Sequence, residues 1–194
     1  MRVRLSHVAA AVALCSGVAL AASTRGSATV TVNGKKVAID YGRPALKGRA
    51  LGDLLKQLAD DRVWRAGDDQ VTTLTTEGDL DIGGKKIKAG KYSLYVNLPA
   101  DGSRNLIVNS DLGVPLGQIW AKAPDNLKNE PWPYIDNYQE KISSKELARI
   151  PLKKETVKSP VDLFTIELSQ AKEAANLKLS WGDESWSIEL KPAK

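Results

Sequence analysis

Beyond residue 15 this 194-residue chain contains neither cysteine nor histidine, and its one methionine is Met1. The one histidine and one cysteine, His7 and Cys15, both lie in an N-terminal segment that reads as removable. The chain beyond that segment has no imidazole and no thiol, so Ser-His-Asp and Cys-His nucleophilic sites are excluded there. Zinc and blue-copper centres lose their usual ligands. No disulfide can form, and a domain of this length buries enough core to do without one. No phosphate-binding loop of the Walker type is present. Long apolar runs are also missing, since no segment after the N-terminus approaches the roughly 20 residues that span a bilayer. Charge is nearly balanced. Setting aside Arg2 and Arg4, 26 basic residues face 23 acidic ones, a net charge of +3 spread along the chain. Nucleic-acid binding calls for a basic stripe or a recognisable motif, and neither appears. The residue content implies no cofactor and no metal.

The N-terminus has its own pattern. Met1-Arg2-Val3-Arg4 is short and basic, Val8 to Leu20 is apolar, and Ala19-Leu20-Ala21 offers the small-x-small pattern of a cleavage site. That order is a secretory signal, with cleavage expected after Ala21 or Ala22. The apolar run is too short for a retained membrane anchor, and Leu14 stands where a lipidated Cys15 would follow a small residue. The expectation is therefore a signal peptide over 1–21, a single domain over 22–194, and a periplasmic or secreted location.

The rest of the chain is dominated by short strands. Val30, Val32, Val37 and Ile39 alternate around Asn33-Gly34, a two-residue hairpin signal. Val71–Glu77, Lys91–Leu98, Arg104–Asn109, Ala148–Leu152, Val161–Leu168, Asn176–Trp181 and Ser185–Leu190 read as further strands, punctuated by glycine-rich turns. Many short strands at this spacing predict an all-β fold, a jelly-roll-like β-sandwich of antiparallel strands. One helix interrupts, with Leu51, Leu54, Leu55 and Leu58 on a single stripe; it is expected to cap an open end of the sandwich. Ala123 to Tyr138 holds three of the chain's nine prolines and no period, a long loop whose Trp132, Tyr134 and Tyr138 either line a binding face or staple the loop to the core.

Few residues carry recognisable chemistry. Ser169-Gln170-Ala171-Lys172 matches S-x-x-K but follows a strand and lacks its companion motifs. Asp79-Leu80-Asp81 opens like a calcium loop, without the glycine and late glutamate such a loop needs; these read as turn carboxylates. Asp68, Asp69, Glu77 and Asp79 could supply a carboxylate pair for glycoside hydrolysis, though spacing selects no pair. Trp181 and Trp186 share the apolar phase of adjacent strands. A four-residue loop between them would set the two rings opposite each other in the core.

The segment from Tyr41 to Arg49 stands apart. Tyr41 continues the inward phase of Val37 and Ile39, and Pro44 holds Arg43 extended. If the strand runs on, Arg43 also points inward, where a guanidinium needs a carboxylate, an aromatic face or an anionic ligand. Trp64-Arg65 supplies a second such pair. Tyr41, Arg43, Lys47, Arg49, Trp64 and Arg65 are thus the candidate ligand-binding residues, against the alternative of a structural Arg network.

The same residues carry a resemblance. Tyr41-Gly-Arg-Pro-Ala-Leu-Lys-Gly-Arg49, Val63-Trp-Arg-Ala-Gly67, and Thr72-Thr-Leu74 leading to Ile82-Gly-Gly-Lys-Lys-Ile-Lys-Ala-Gly-Lys-Tyr-Ser-Leu94 resemble domain-of-unknown-function family 2911. Leu106-Ile-Val-Asn109, Leu147-Ala-Arg-Ile-Pro-Leu152, Phe164-Thr-Ile-Glu-Leu168 and Leu177–Leu190 follow its order more loosely. The resemblance implies an exported bacterial protein and carries no assigned activity. Where the family has Ala-Asn-Glu after Trp-Arg-x-Gly, this chain has Asp68-Asp69-Gln70, which puts an acid/base role at Gln70 in doubt. The expected function is a non-catalytic ligand-binding or structural module whose partner is a small molecule or glycan. The alternative is a carboxylate-dependent glycan hydrolase.

Overall fold

The computed structural model describes residues 24–134 and 138–194. The expected signal peptide lies outside the described residues. Two strands open the domain, β1 (Arg25–Val32) and β2 (Lys35–Gly42), paired in register Val32↔Lys35. Asn33 and Gly34 take φ of 47° and 73° between them. These are the left-handed values that a tight two-residue hairpin requires and that asparagine and glycine tolerate.

Helix α1 (Leu51–Leu55) comes next and is shorter than its leucine stripe, so Leu58 sits on the turn beyond it. Then come β3 (Val63–Trp64), β4 (Thr73–Thr76), β5 (Leu80–Ile82), β6 (Lys85–Ile87), β7 (Gly90–Asn97) and β8 (Asn105–Asn109). The proline-rich stretch is flanked by β9 (Val114–Pro115) and α2 (Leu116–Ile119), and contains β10 (Pro131–Trp132). Helix α3 (Tyr138–Lys141) and a 3-10 turn (Ser143–Lys145) lead into β11 (Glu146–Pro151), β12 (Lys153–Glu155), β13 (Val161–Ala171), β14 (Ala174–Gly182) and β15 (Glu184–Pro192). Two one-turn helices thus accompany the expected one.

The described strands form two large antiparallel sheets, in the all-β sandwich that the alternating pattern predicts, and a separate two-stranded sheet of β9 and β10. The first runs β1-β2-β4-β7-β8-β11 with β3 added beside β7, and the second runs β13-β14-β15-β5-β6 with β12 beside β15. Inward residues of both sheets make one core, including Val37, Ile39, Leu74, Leu94, Val96, Leu106, Val108, Phe164, Ile166, Leu177, Leu179, Trp186 and Leu190. Burial at this scale, at roughly 25 cal/mol per Å² of apolar surface, is the main term holding the sheets together.

Residues 138–142 cover part of the outer face of the first sheet. Tyr138 and Ile142 pack on Val63, Tyr95 and Ile107, with Tyr134 against them. Tyr138 accepts a hydrogen bond from Asn109 Nδ2 at 2.8 Å and donates to Glu146 Oε2 at 3.1 Å. The aromatics Tyr134 and Tyr138 therefore staple the loop down. Trp132 is tied in through the β9–β10 pair. Among the described residues no helix is long and apolar enough to cross a membrane.

The register of the last hairpin differs from expectation. Trp181 pairs with Glu184 and Leu179 with Trp186, so the turn is the two residues Gly182-Asp183. The tryptophans are offset along the sheet rather than opposite. Both are buried, but they serve different places, with Trp186 in the middle of the core and Trp181 at its open end.

Candidate functional site

Residues 43–47 join the two sheets. Ala45 bridges Leu163, Phe164 N–H donates to Pro44 O, Leu46 N–H donates to Asp162 O, and Lys47 N–H donates to Asp162 Oδ1 at 3.0 Å. This stitching consumes half of the predicted cluster. The Tyr41 hydroxyl accepts from Ile166 N–H at 2.9 Å and donates to Ile166 O at 3.2 Å, while its ring meets Phe164 edge-on and covers Gly26 across the β1–β2 pair. Strand β2 ends at Gly42, so Arg43 does not continue into the core; it is half-buried and donates to Phe164 O and Thr165 Oγ1. The expected carboxylate, aromatic face or anion is replaced by a carbonyl and a hydroxyl of β13. Lys47 is exposed, with φ of 52°.

The other three residues meet at one end of the sandwich. A cleft of about 350 Å³ opens between α1 and β3, lined by the polar Arg49, Arg65 and Asp68 and by Leu54, Leu55, Leu58, Trp64 and Trp181. Trp64 stacks on Trp181 with centroids 5.0 Å apart and planes 14° apart, and it meets Phe164 edge-on at 4.7 Å. The chain's one phenylalanine thus sits among Tyr41, Trp64 and Trp181 and fixes their rings. Such aromatic pairs contribute about 1 kcal/mol each beyond buried area.

Two cations face the cleft in different states. Arg65 Nη2 donates to Asp68 Oδ1 at 2.8 Å, and Asp69 N–H donates to the same oxygen, which closes the 65–69 turn. Arg49 donates to Leu46 O at 2.8 Å and Ala45 O at 3.0 Å. Those carbonyls hold the guanidinium in place without neutralising it. The surrounding backbone is strained. Lys47, Arg62, Ala66 and Asp69 account for four of the six non-glycine residues with positive φ among the described residues, and all four lie in the loops that build this end. Left-handed non-glycine residues persist where neighbours over-determine them, and they concentrate at functional sites. Here Arg62 donates to Leu98 O and to Leu55 O at the C-terminal end of α1, and Thr72 Oγ1 donates to Ala66 O.

The four acids considered for hydrolysis lie in two stretches, Asp68 and Asp69 in the 65–69 turn and Glu77 and Asp79 around the start of β5. Asp68 lines the cleft; Glu77 accepts from Lys36 N–H, and Asp79 is bound by Lys88 Nζ and Ala89 N–H. Those two bonds hold the Asp79 carboxyl below the ordinary carboxylate range, the Lys88 bond first. Asp81 accepts from Gly84 N–H, so the Asp79/Asp81 pair closes turns. Among the described residues no group of three or more His, Cys, Asp or Glu side chains is placed to hold a metal ion.

Comparison with known families places the chain. The family model described as protein of unknown function (DUF2911) matches residues 23–190. The chain belongs to this family. The match spans both sheets and the cleft, so the site belongs to the family's domain rather than to an appended segment. No curated protein and no solved structure matches the chain.

Phase reasoning missed Trp181 and the leucines as cleft walls. An inward residue at the open end of a sandwich faces a cavity, whereas the same phase mid-strand faces the core. Asp68 three residues after Arg65 was the available signal for the ion pair that shapes the turn.

Proposed function

We propose that this DUF2911 protein is exported and binds, without turning over, a small molecule or saccharide that pairs a flat or apolar ring with one acidic group. The observation that carries this reading is the joint presence of the stacked Trp64–Trp181 wall and the Arg49 guanidinium fixed on carbonyls at the same cleft. A volume of about 350 Å³ falls in the range of small-ligand pockets, which typically hold about 300–1,000 Å³. A ring stacked on Trp64 would be desolvated on one face. An acidic substituent at the rim would meet a charge that has no ion-pair partner among the described residues. Hydrolysis by two carboxylates has less support, because the cleft lining contributes one, Asp68, already bonded to Arg65.

The test is a panel of acidic saccharides and aromatic carboxylates, read by tryptophan fluorescence and thermal shift. Binding should quench Trp64 emission, and Arg49→Gln should weaken it about tenfold, the value of one charge-assisted hydrogen bond at about 1.5 kcal/mol. A ligand bound equally well by wild type and Arg49→Gln, with unchanged tryptophan emission, would place its site elsewhere.

A further inference from the structure

A second pocket lies on the opposite face of the second sheet, independent of the cleft. Strand β12 borders β15 and β13 borders β14, so residues 156–160 must pass over the β14–β15 hairpin. Crossing two intervening strands takes about 14 Å, which five residues cover while arching clear of the sheet. Between this strap and the hairpin lies a cavity of about 470 Å³, bordered by Thr156, Lys158, Ser159, Lys178, Ser180 and Ser185, with no carboxylate in its lining.

Strand phase explains the floor. Leu177, Leu179 and Trp181 point into the core, so Lys178 and Ser180 point outward, and Trp186 inward puts Ser185 and Ser187 outward. An outer face is ordinarily wet, yet Ser180, Ser185 and Ser187 are only 6%, 1% and 5% exposed. Buried hydroxyls need partners. Ser187 Oγ donates to Glu155 Oε1 at 2.7 Å. Ser180 Oγ and Ser185 Oγ lie 3.0 Å apart and bond only to each other among the described residues. Two hydroxyls carry two protons, and their shared bond uses one. The other is a buried donor with no protein acceptor among the described residues, beside Lys178.

We propose that this pocket binds a tetrahedral oxyanion, phosphate or sulfate, either free or as the ester head of a larger molecule. The Ser180–Ser185 pair offers its spare O–H from the floor, and Lys178 and Lys158 supply charge from the wall and the strap. Of the two nearby carboxylates, one is turned to other partners and one makes only a long contact that an entering anion would compete with. Glu155 is held by Ser187 and by Lys153 at 3.4 Å, and Glu167 approaches Lys178 no closer than 3.9 Å. A neutral polyol would use the hydroxyls but leave Lys158, which has no ion-pair partner among the described residues, unmatched.

The full chain is titrated with sodium phosphate, sodium sulfate and sodium chloride at equal ionic strength, following the amide NMR signals of Lys178, Ser180 and Ser185. Saturable shifts with phosphate and sulfate, absent with chloride, are the expected result; shifts of equal size with chloride overturn the proposal. Ser185→Ala should weaken phosphate about tenfold. Lys158→Gln, on an exposed strap that the core does not depend on, should weaken it about threefold, so the test survives a failure of Ser185→Ala to fold. Unchanged phosphate affinity in Lys158→Gln together with any folded Ser185→Ala overturns the assignment. Glucose 6-phosphate binding more tightly than phosphate identifies an ester head as the source, and equal affinity identifies the free anion. Glucose binding as tightly as its phosphate overturns the oxyanion reading.

Discussion

Gly42 sets the shape of the cleft by having no side chain. It ends β2 with its backbone pressed against the 65–69 turn, and a Cβ built there would lie 1.9 Å from Asp68 O and 2.7 Å from Asp68 N and C. Real Cβ contacts essentially never fall below 3.0 Å, so the Asp68 carbonyl would have to retreat by about 1 Å. It has little room. Ala66 and Asp69 already hold left-handed φ of 49° and 55°, and Gly67 packs against Gly42 from the same turn. Forcing extra volume into a packed site costs about 1–3 kcal/mol, and displaced main chain puts Gly42→Ala near the upper end. For a domain of this size each kcal/mol shifts Tm by about 2–4 °C, so Gly42→Ala should melt about 5–10 °C below wild type by circular dichroism. Trp64 emission should change with it, because the displaced turn carries the Arg65–Asp68 pair. Gly52 is the control. It is exposed in α1 and a Cβ there meets nothing within 4 Å. Gly52→Ala should raise stability by about 0.5–1 kcal/mol through helix propensity. If Gly42→Ala melts within 1 °C of wild type while Gly52→Ala behaves as expected, the close approach does not exist and this account of the cleft fails.

Three further predictions use the rest of the domain. Tyr95 has a buried hydroxyl with no hydrogen-bond partner among the described residues, whereas the Tyr138 hydroxyl has two. Tyr95→Phe should therefore be neutral or stabilising by up to about 1 kcal/mol, and Tyr138→Phe should destabilise by about 1–3 kcal/mol in urea titrations. Burial is the leading cause that raises the phenol pKa of both residues above the ordinary value of 10.0. Their neutral forms favour the folded state, so that stability is complete below the unfolded pKa and is lost as pH rises beyond it. In an absorbance titration at alkaline pH, Tyr95 and Tyr138 should ionise only as the protein unfolds. Arg104 grips both oxygens of Glu184 at 3.0–3.2 Å and lies 5.7 Å over Trp186, with the two side chains 11% and 22% exposed. Arg104→Ala strands a mostly buried carboxylate and should cost about 2–3 kcal/mol, while Glu184→Gln, which keeps an acceptor, should cost less than half of that.

The legible parts of this chain were the local ones. Asn33-Gly34 announced its hairpin because few other pairs accept two left-handed residues in succession, and the alternation of Val37, Ile39 and Tyr41 placed β2 in the core. Turn length failed at Gly182-Asp183, where the register rests on Glu184 meeting Arg104 from 80 residues away. The candidate site divided for the same reason. Tyr41 to Arg49 reads as one run of aromatic and basic residues, yet its first half is committed to β13 through the Ala45–Leu163 bridge and the bonds of Arg43. Those contacts span well over one hundred residues and leave no trace in local spacing. Arg49 escapes because the chain turns at Lys47-Gly48, both with positive φ, and emerges at the open end beside Trp64 and Arg65. Trp181 reaches that end from the other sheet. Strand phase alone gives Trp181 and Trp186 the same inward orientation, and position along the sheet makes Trp186 core and Trp181 a wall. A cleft at the mouth of a sandwich is thus written in residues that the inward-outward code assigns to the core. Arg49 and Arg65 beside them distinguish the mouth from the middle, because a cation among inward aromatics is tolerated only where water or a ligand can reach it.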